Sequence, residues 1–111
     1  MEVLYMEVKF TANNFEAEVM QSQVPVLVDF YADWCGPCRA MGPVVDKLAK
    51  QYDGKVKVGK LNVDDEMELA QKYRVANIPT FLIFKNGQEV ERMMGITSEQ
   101  DLSQKLDQVL Q

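Results

Sequence analysis

The chain alternates between short apolar runs and stretches with helical spacing. Val3 to Phe10 is rich in apolar residues and predicts a first strand. Asn13, with Glu16 three residues on, has the form of a capping box and predicts a short helix that buries Phe15 and Val19. Pro25 to Tyr31 is nearly continuous in apolar and β-branched residues, the pattern of a strand covered on both faces, and Pro25 suits its first position. From about Pro37 onward, Met41, Val44, Val45, Leu48 and Tyr52 recur at helical spacing, and Asp53-Gly54 closes that helix. Lys55 to Val63 alternates loosely and predicts another strand. Asp65 with Glu68 is a second capping pattern, opening a short helix through Tyr73, and Thr80 to Phe84 predicts a further strand. Asn86-Gly87 is the strongest hairpin signal in the chain and joins that strand to one at Glu89 to Met94. Ser98 with Asp101 caps a last helix whose apolar face is Leu102, Leu106, Val109 and Leu110.

The order is therefore β-α-β-α-β-α-β-β-α. Helices set between strands imply parallel crossovers and a central sheet with helices on both faces, and the final hairpin adds an antiparallel pair. With 111 residues, 47% of them hydrophobic and 26% charged, the chain has the size and composition of one globular domain, residues 1–111. It shows no internal repeat, linker or low-complexity tract. The seven methionines stand at core-like positions and read as core filling.

Twelve basic against seventeen acidic residues leave a net charge of −5, which argues against nucleic acid as a partner, since a phosphate backbone needs a basic footprint. No apolar run approaches the ~20 residues of a membrane span, so no membrane role is expected. The N-terminus carries Glu2 and Glu7 within its apolar stretch and does not read as a signal peptide. The absence of histidine removes Ser-His and Cys-His catalysis and every His-containing metal site.

Two cysteines remain, Cys35 and Cys38. A bridge between residues three apart closes almost no loop and adds little stability through the unfolded chain. The pair lies where a buried strand gives way to a helix, with Pro37 preset for the first helical turn. Cys35 then sits at the helix N-terminus, where unpaired N–H groups and the positive end of the dipole favour its thiolate. Cys38, ~300° further round the helix, lies beside it but deeper. This predicts an exposed attacker, Cys35, that opens a substrate disulfide, and a shielded Cys38 that resolves the mixed disulfide. Two other readings stay open on the residues alone: a zinc ion shared between two copies as Cys₄, and an inert buried pair. Gly-Pro between the cysteines and the βαβ setting favour redox chemistry.

Asp33-Trp34-Cys35-Gly36-Pro37-Cys38-Arg39, with Val28-Asp29-Phe30-Tyr31-Ala32, Ile78-Pro79-Thr80-Phe81 and Phe84-Lys85-Asn86-Gly87, resembles the thioredoxin family in order and spacing, from about Val8 to Leu110. The resemblance implies an α/β thioredoxin fold, a central five-stranded mixed β-sheet flanked by four α-helices. It implies a general protein disulfide reductase that cycles between a dithiol and a Cys35–Cys38 disulfide and needs no bound cofactor or metal. Its partners would be disulfide-containing proteins and a thioredoxin reductase that recharges it, and the expectation is a cytoplasmic monomer.

Position by position, Cys35 matches the family's attacking cysteine and Cys38 the resolving one. Pro79 matches a cis-proline that lies against the active-site disulfide. Asp29 matches a buried carboxylate under the site, and Lys60 its neighbouring lysine. Trp34, Gly36, Pro37, Ile78, Gly95 and Ile96 fall on the family's substrate-contact surface. The apolar run around Asp29 independently predicts its burial and a raised carboxyl pKa. The chain departs from the family pattern at Gly42, at Arg39 in place of a lysine, and at Asn77 before Ile78-Pro79. Pro43 within the predicted helix reads, on the resemblance, as a kink.

Overall fold

The computed structural model describes residues 7–111. Five strands form one sheet: β1 (Val8–Lys9), β2 (Val26–Tyr31), β3 (Lys57–Asn62), β4 (Thr80–Lys85) and β5 (Gln88–Met94). The helices are α1 (Gly36–Gln51), α2 (Met67–Lys72) and α3 (Glu99–Val109), preceded by a short π-helical segment, Glu16–Met20. The strand order is β1-β3-β2-β4-β5. Residues 3–6 of the expected first strand lie outside the described residues.

The sheet separates two apolar layers. On one face Leu27, Val58, Phe81 and Ile83 pack against Met41, Val45 and Leu48 of α1 and Leu102 and Leu106 of α3. On the other, Val28, Phe30, Leu61, Leu82 and Phe84 pack against Phe10, Phe15 and Val19, with Leu69 and Tyr73 alongside. Phe15 and Tyr73 meet Phe84 edge-on at 5.8 and 5.3 Å between ring centres. Phe15 and Val19 are buried as their spacing predicted. Each such buried side chain contributes roughly 1.5–3 kcal/mol. Close packing also explains Gly59 in the middle of β3, where a Cβ would overlap the Val8 carbonyl oxygen and the Phe10 ring.

Mixed direction is confirmed, but with more antiparallel pairing than the βα order implied. β2 runs parallel to β3, and β3 to β1, whereas β4 is antiparallel to both β2 and β5. The connection through α2 therefore does not make the expected parallel crossover. A strand buried on both faces, such as Thr80–Lys85, carries no directional mark in its hydrophobic pattern.

Three of the expected helix-end details differ. Asn13 and Glu16 form no capping box; Asn14 organises that turn, its Oδ1 accepting from the Thr11 N–H at 2.8 Å and its Nδ2 donating to the Lys9 carbonyl at 2.9 Å. The segment closes with a wide i→i+5 bond from the Gln21 N–H to the Glu16 carbonyl. Asp65 and Glu68 likewise form no box, because Asn62 at the end of β3 accepts from the Asp64 N–H at 2.9 Å and α2 starts only at Met67. Leu110 follows the last turn of α3 and is exposed, while Leu102 and Leu106 are buried. Ser98 does cap α3, accepting from the Asp101 N–H at 3.0 Å. At Asn86 and Gly87 both φ values are positive, 54° and 77°, the geometry that a tight hairpin demands.

Candidate active site

The continuous burial of β2 delivers the chain through Ala32 to a turn at the start of α1, where Cys35 is the N-cap. Its extended backbone, φ −86° and ψ 109°, turns the side chain back over the first helical N–H groups, and Sγ accepts from the Cys38 N–H at 3.2 Å. Pro37 fills the first turn, where a missing N–H removes nothing. Cys35 and Cys38 are joined in a disulfide, with Cα atoms 5.2 Å apart.

The expected contrast between an exposed and a shielded cysteine is absent in this oxidised form. Cys35 is 4% and Cys38 5% exposed, and both belong to a small apolar cluster with Ala32, flanked by Tyr31, Val63 and Ile78. Each sulfur is covered by the other, and the Ile78 carbonyl oxygen lies 3.9 Å from Cys35 Sγ. What distinguishes the two is the surroundings. Cys35 faces the Ile78-Pro79 segment, whereas Cys38 borders a cleft of about 290 Å³ lined by Tyr31, Asp33, Arg39, Gly42 and Lys60.

Ile78-Pro79 is a cis peptide bond. It is held from one side by Thr80, whose hydroxyl donates to the Asn77 carbonyl at 2.6 Å, and from the other by the Gly95 N–H, which donates to the Pro79 carbonyl at 2.7 Å. Gly95 adopts φ +82° there, in the left-handed region that favours glycine. Around this centre Gly36 and Pro37 are exposed, and Trp34 and Ile96 are each 68% exposed. Arg39 folds back to donate to the Asp33 carbonyl at 2.8 Å. Pro43 is accommodated inside a continuous α1.

Asp29 is 1% exposed, on the α1-covered face of β2, and its Oδ1 has no hydrogen-bond donor among the described residues. Burial pushes its carboxyl up to about 7, opposed by the positive charge of Lys60, its register partner on β3. Lys60 is only partly buried and reaches the Cys38 cleft.

Three carboxylates near the site, Asp64, Glu7 and Asp46, were not singled out as site residues from the sequence. Trp34 is not a loose aromatic: its Nε1 donates to Asp64 Oδ2 at 2.9 Å, a contact across thirty positions that no local pattern encodes. Glu7 pairs with Lys60 at 3.4 Å, and Asp46 on α1 lies against Glu7. For Glu7 a signal existed, a carboxylate set within an apolar strand.

A model of the thioredoxin family matches residues 6–108. Thioredoxin 1 of Nostoc sp. is 50% identical over 100 residues, covering 90% of this chain and 94% of its own. The thioredoxin of Synechocystis sp. is 47% identical over 97 residues, 87% of this chain and 91% of its own. The thioredoxin of Chlorobaculum thiosulfatiphilum is 44% identical over 98 residues, 88% of this chain and 91% of its own.

Proposed function

This chain belongs to the thioredoxin family, as a thiol–disulfide oxidoreductase working through Cys35 and Cys38, and on that premise we propose how its residues divide the reaction. The observation that carries the reading is a disulfide formed at a helix N-cap and set beside a cis-proline.

In the dithiol form, the N-terminus of α1 and the Cys38 N–H stabilise the Cys35 thiolate. That thiolate attacks one sulfur of a protein disulfide, forming a Cys35–substrate bond and releasing the other substrate sulfur as a thiolate. Asp29, buried and with no donor to Oδ1 among the described residues, takes the proton of Cys38, directly or through a water. The Cys38 thiolate then attacks Cys35 Sγ, closing the Cys35–Cys38 disulfide and expelling the substrate as a dithiol. Two electrons leave the chain, and the two substrate thiolates take one proton back from Asp29, originally that of Cys38, and one from solvent.

Pro79 and Ile78 form one wall of the substrate groove, and exposed Trp34, Gly36, Pro37 and Ile96, with half-buried Gly95, form its rim. The substrates are disulfide-bonded proteins, and a thioredoxin reductase returns the disulfide to the dithiol. The chain acts in the cytoplasm as a monomer of one domain. Both of its cysteines serve the site, as suits a reducing compartment. Among the described residues no helix is long and apolar enough to cross a membrane.

Turnover on a protein disulfide, with a reductase and its electron donor supplied, tests this function. Catalytic reduction that needs both cysteines is expected. Stoichiometric oxidation of dithiols with no reductase-driven turnover would show an oxidase instead.

A further inference from the structure

Lys60 faces two carboxylates. One belongs to Asp29, its register partner across β2 and β3. The other belongs to Glu7, whose Oε1 lies 3.4 Å from Lys60 Nζ. Glu7 directly precedes β1, two residues before Lys9, the register partner of Lys60 across β1 and β3. Side chains alternate along a strand, so Glu7, Lys60 and Asp29 all lie on the face that α1 covers. Glu7 Oε2 is buried and receives no donor from the described residues. Asp46, on the solvent side of α1, lies against Glu7 and favours its protonated form.

The other charged or titratable groups about this row come from each neighbouring element. Lys9 lies on β1, and Tyr31 on β2 has its ring centre 5.9 Å from Lys60 Nζ. Asp33 and Arg39 at the start of α1 line the Cys38 cleft with Lys60, and β4 presents the apolar Phe81 opposite Asp29.

We propose that Glu7 is a positioning residue for the resolving step: by holding the Lys60 ammonium it competes with Asp29 for that charge and sets how readily Asp29 accepts a proton. The inference rests on Asp29 being the acceptor for the Cys38 proton. While Glu7 is ionised, the charge of Lys60 is divided and Asp29 holds its proton more firmly. When Glu7 is protonated, Lys60 is released to stabilise the Asp29 carboxylate. Burial pushes Glu7 and Asp29 alike up to about 7, and Lys60 opposes both shifts, so the two carboxyls titrate in one window about a shared ammonium.

The test is an NMR titration of the Asp29 carboxyl carbon in the full oxidised chain, for the native protein and for Glu7→Gln and Glu7→Leu. Single-turnover rates of mixed-disulfide resolution are measured over the same pH range. The native curve should be broadened or stepped. Each variant should give a single step with its midpoint lower by about one pH unit, a roughly tenfold change in ionisation constant, and the resolution profile should move with it. Glu7→Leu keeps the test open if the amide disturbs the fold, because an apolar side chain suits a half-buried strand end. An unchanged Asp29 midpoint in a folded variant overturns the proposal. Asp29→Asn separates this from the reading beneath it. If Asp29→Asn resolves disulfides with the native rate and pH profile, Asp29 is not the acceptor and both ideas fall. If it loses that profile while the Glu7 variants leave the midpoint in place, the role of Glu7 alone falls.

Discussion

Asp29 and Lys60 stand opposite each other in register across the parallel strands β2 and β3, on the face of the sheet covered by α1. The carboxyl is buried, 1% exposed, and its Oδ1 has no donor among the described residues, while the ammonium reaches the cleft beside Cys38. A charge pair with one partner buried and the other at the edge of solvent is a poor way to hold a fold together, because desolvation offsets the attraction. It is a suitable way to keep a proton close to transfer near neutral pH.

The two cysteines should fail differently. Cys38→Ser should still attack protein disulfides and then stall as a covalent adduct, visible on non-reducing gels. Cys35→Ser should form none, since it lacks the sulfur at the N-cap of α1. Adducts with Cys35→Ser instead would reverse the roles.

Asp29→Asn should gain stability relative to the native chain as pH rises. The folded pKa of Asp29, about 7, lies above its ordinary 3.8, so folding favours the protonated form. That contribution is complete below pH ~4, falls away as pH climbs towards about 7, and is gone above it. At ~1.4 kcal/mol per unit, the difference between Asn and Asp proteins should change by roughly 4 kcal/mol between pH 4 and pH 8. Urea melts at the two pH values measure it. The same variant should slow mixed-disulfide resolution, read by single-turnover kinetics.

Lys60→Met removes the charge that holds the Asp29 pKa down. The Asp29 midpoint should rise above its native position, and resolution should slow at pH 7 and recover at alkaline pH. A profile that keeps its native position would show that Lys60 does not act on Asp29.

Gly59→Ala should destabilise the fold through backbone overlap alone. Its Cβ would meet the Val8 carbonyl oxygen and the Phe10 ring, so β1 must move or Phe10 leave its place. A loss of about 2 kcal/mol or more is expected. Guanidinium melts with an unchanged slope and a lower midpoint would register it.

Trp34→Ala should lower kcat/KM for protein disulfides by about tenfold, as for an exposed aromatic anchor that a partner covers. A small soluble disulfide should be reduced nearly as fast as before, because it covers little of that surface. Asp64→Asn should produce a weaker form of the same selectivity, since Asp64 orients the indole at 2.9 Å. Equal losses on both substrates would place Trp34 in the chemistry rather than in recognition.

Local patterns determined much of this protein. The apolar runs placed β2, β4 and β5 to within about one residue, and Asn86-Gly87 predicted a hairpin that the positive φ values realise. Ser98 capped its helix as its spacing required, because a cap is a contact between residues three apart. The strand-to-helix setting of Cys35-Gly36-Pro37-Cys38 was legible for the same reason: the N-cap, the proline and the second sulfur all lie within four residues.

The tertiary structure alone decided what depends on long separations. Competing acceptors at Asn14 and Asn62 displaced two plausible capping boxes, since each is held by the end of a strand. The direction of β4 was not encoded by a segment buried on both faces, and only its pairing with β2 and β5 settled it. The packing that covers Cys35 comes from Ile78, forty-three positions away. Glu7 stood out in the sequence as a charge in an apolar run, but its meaning waited on parallel register, which brings residues 7, 29 and 60 onto one face around a single ammonium. Side-chain chemistry is local in sequence; the dielectric surroundings and charge partners that tune it are assembled only when the strands pair.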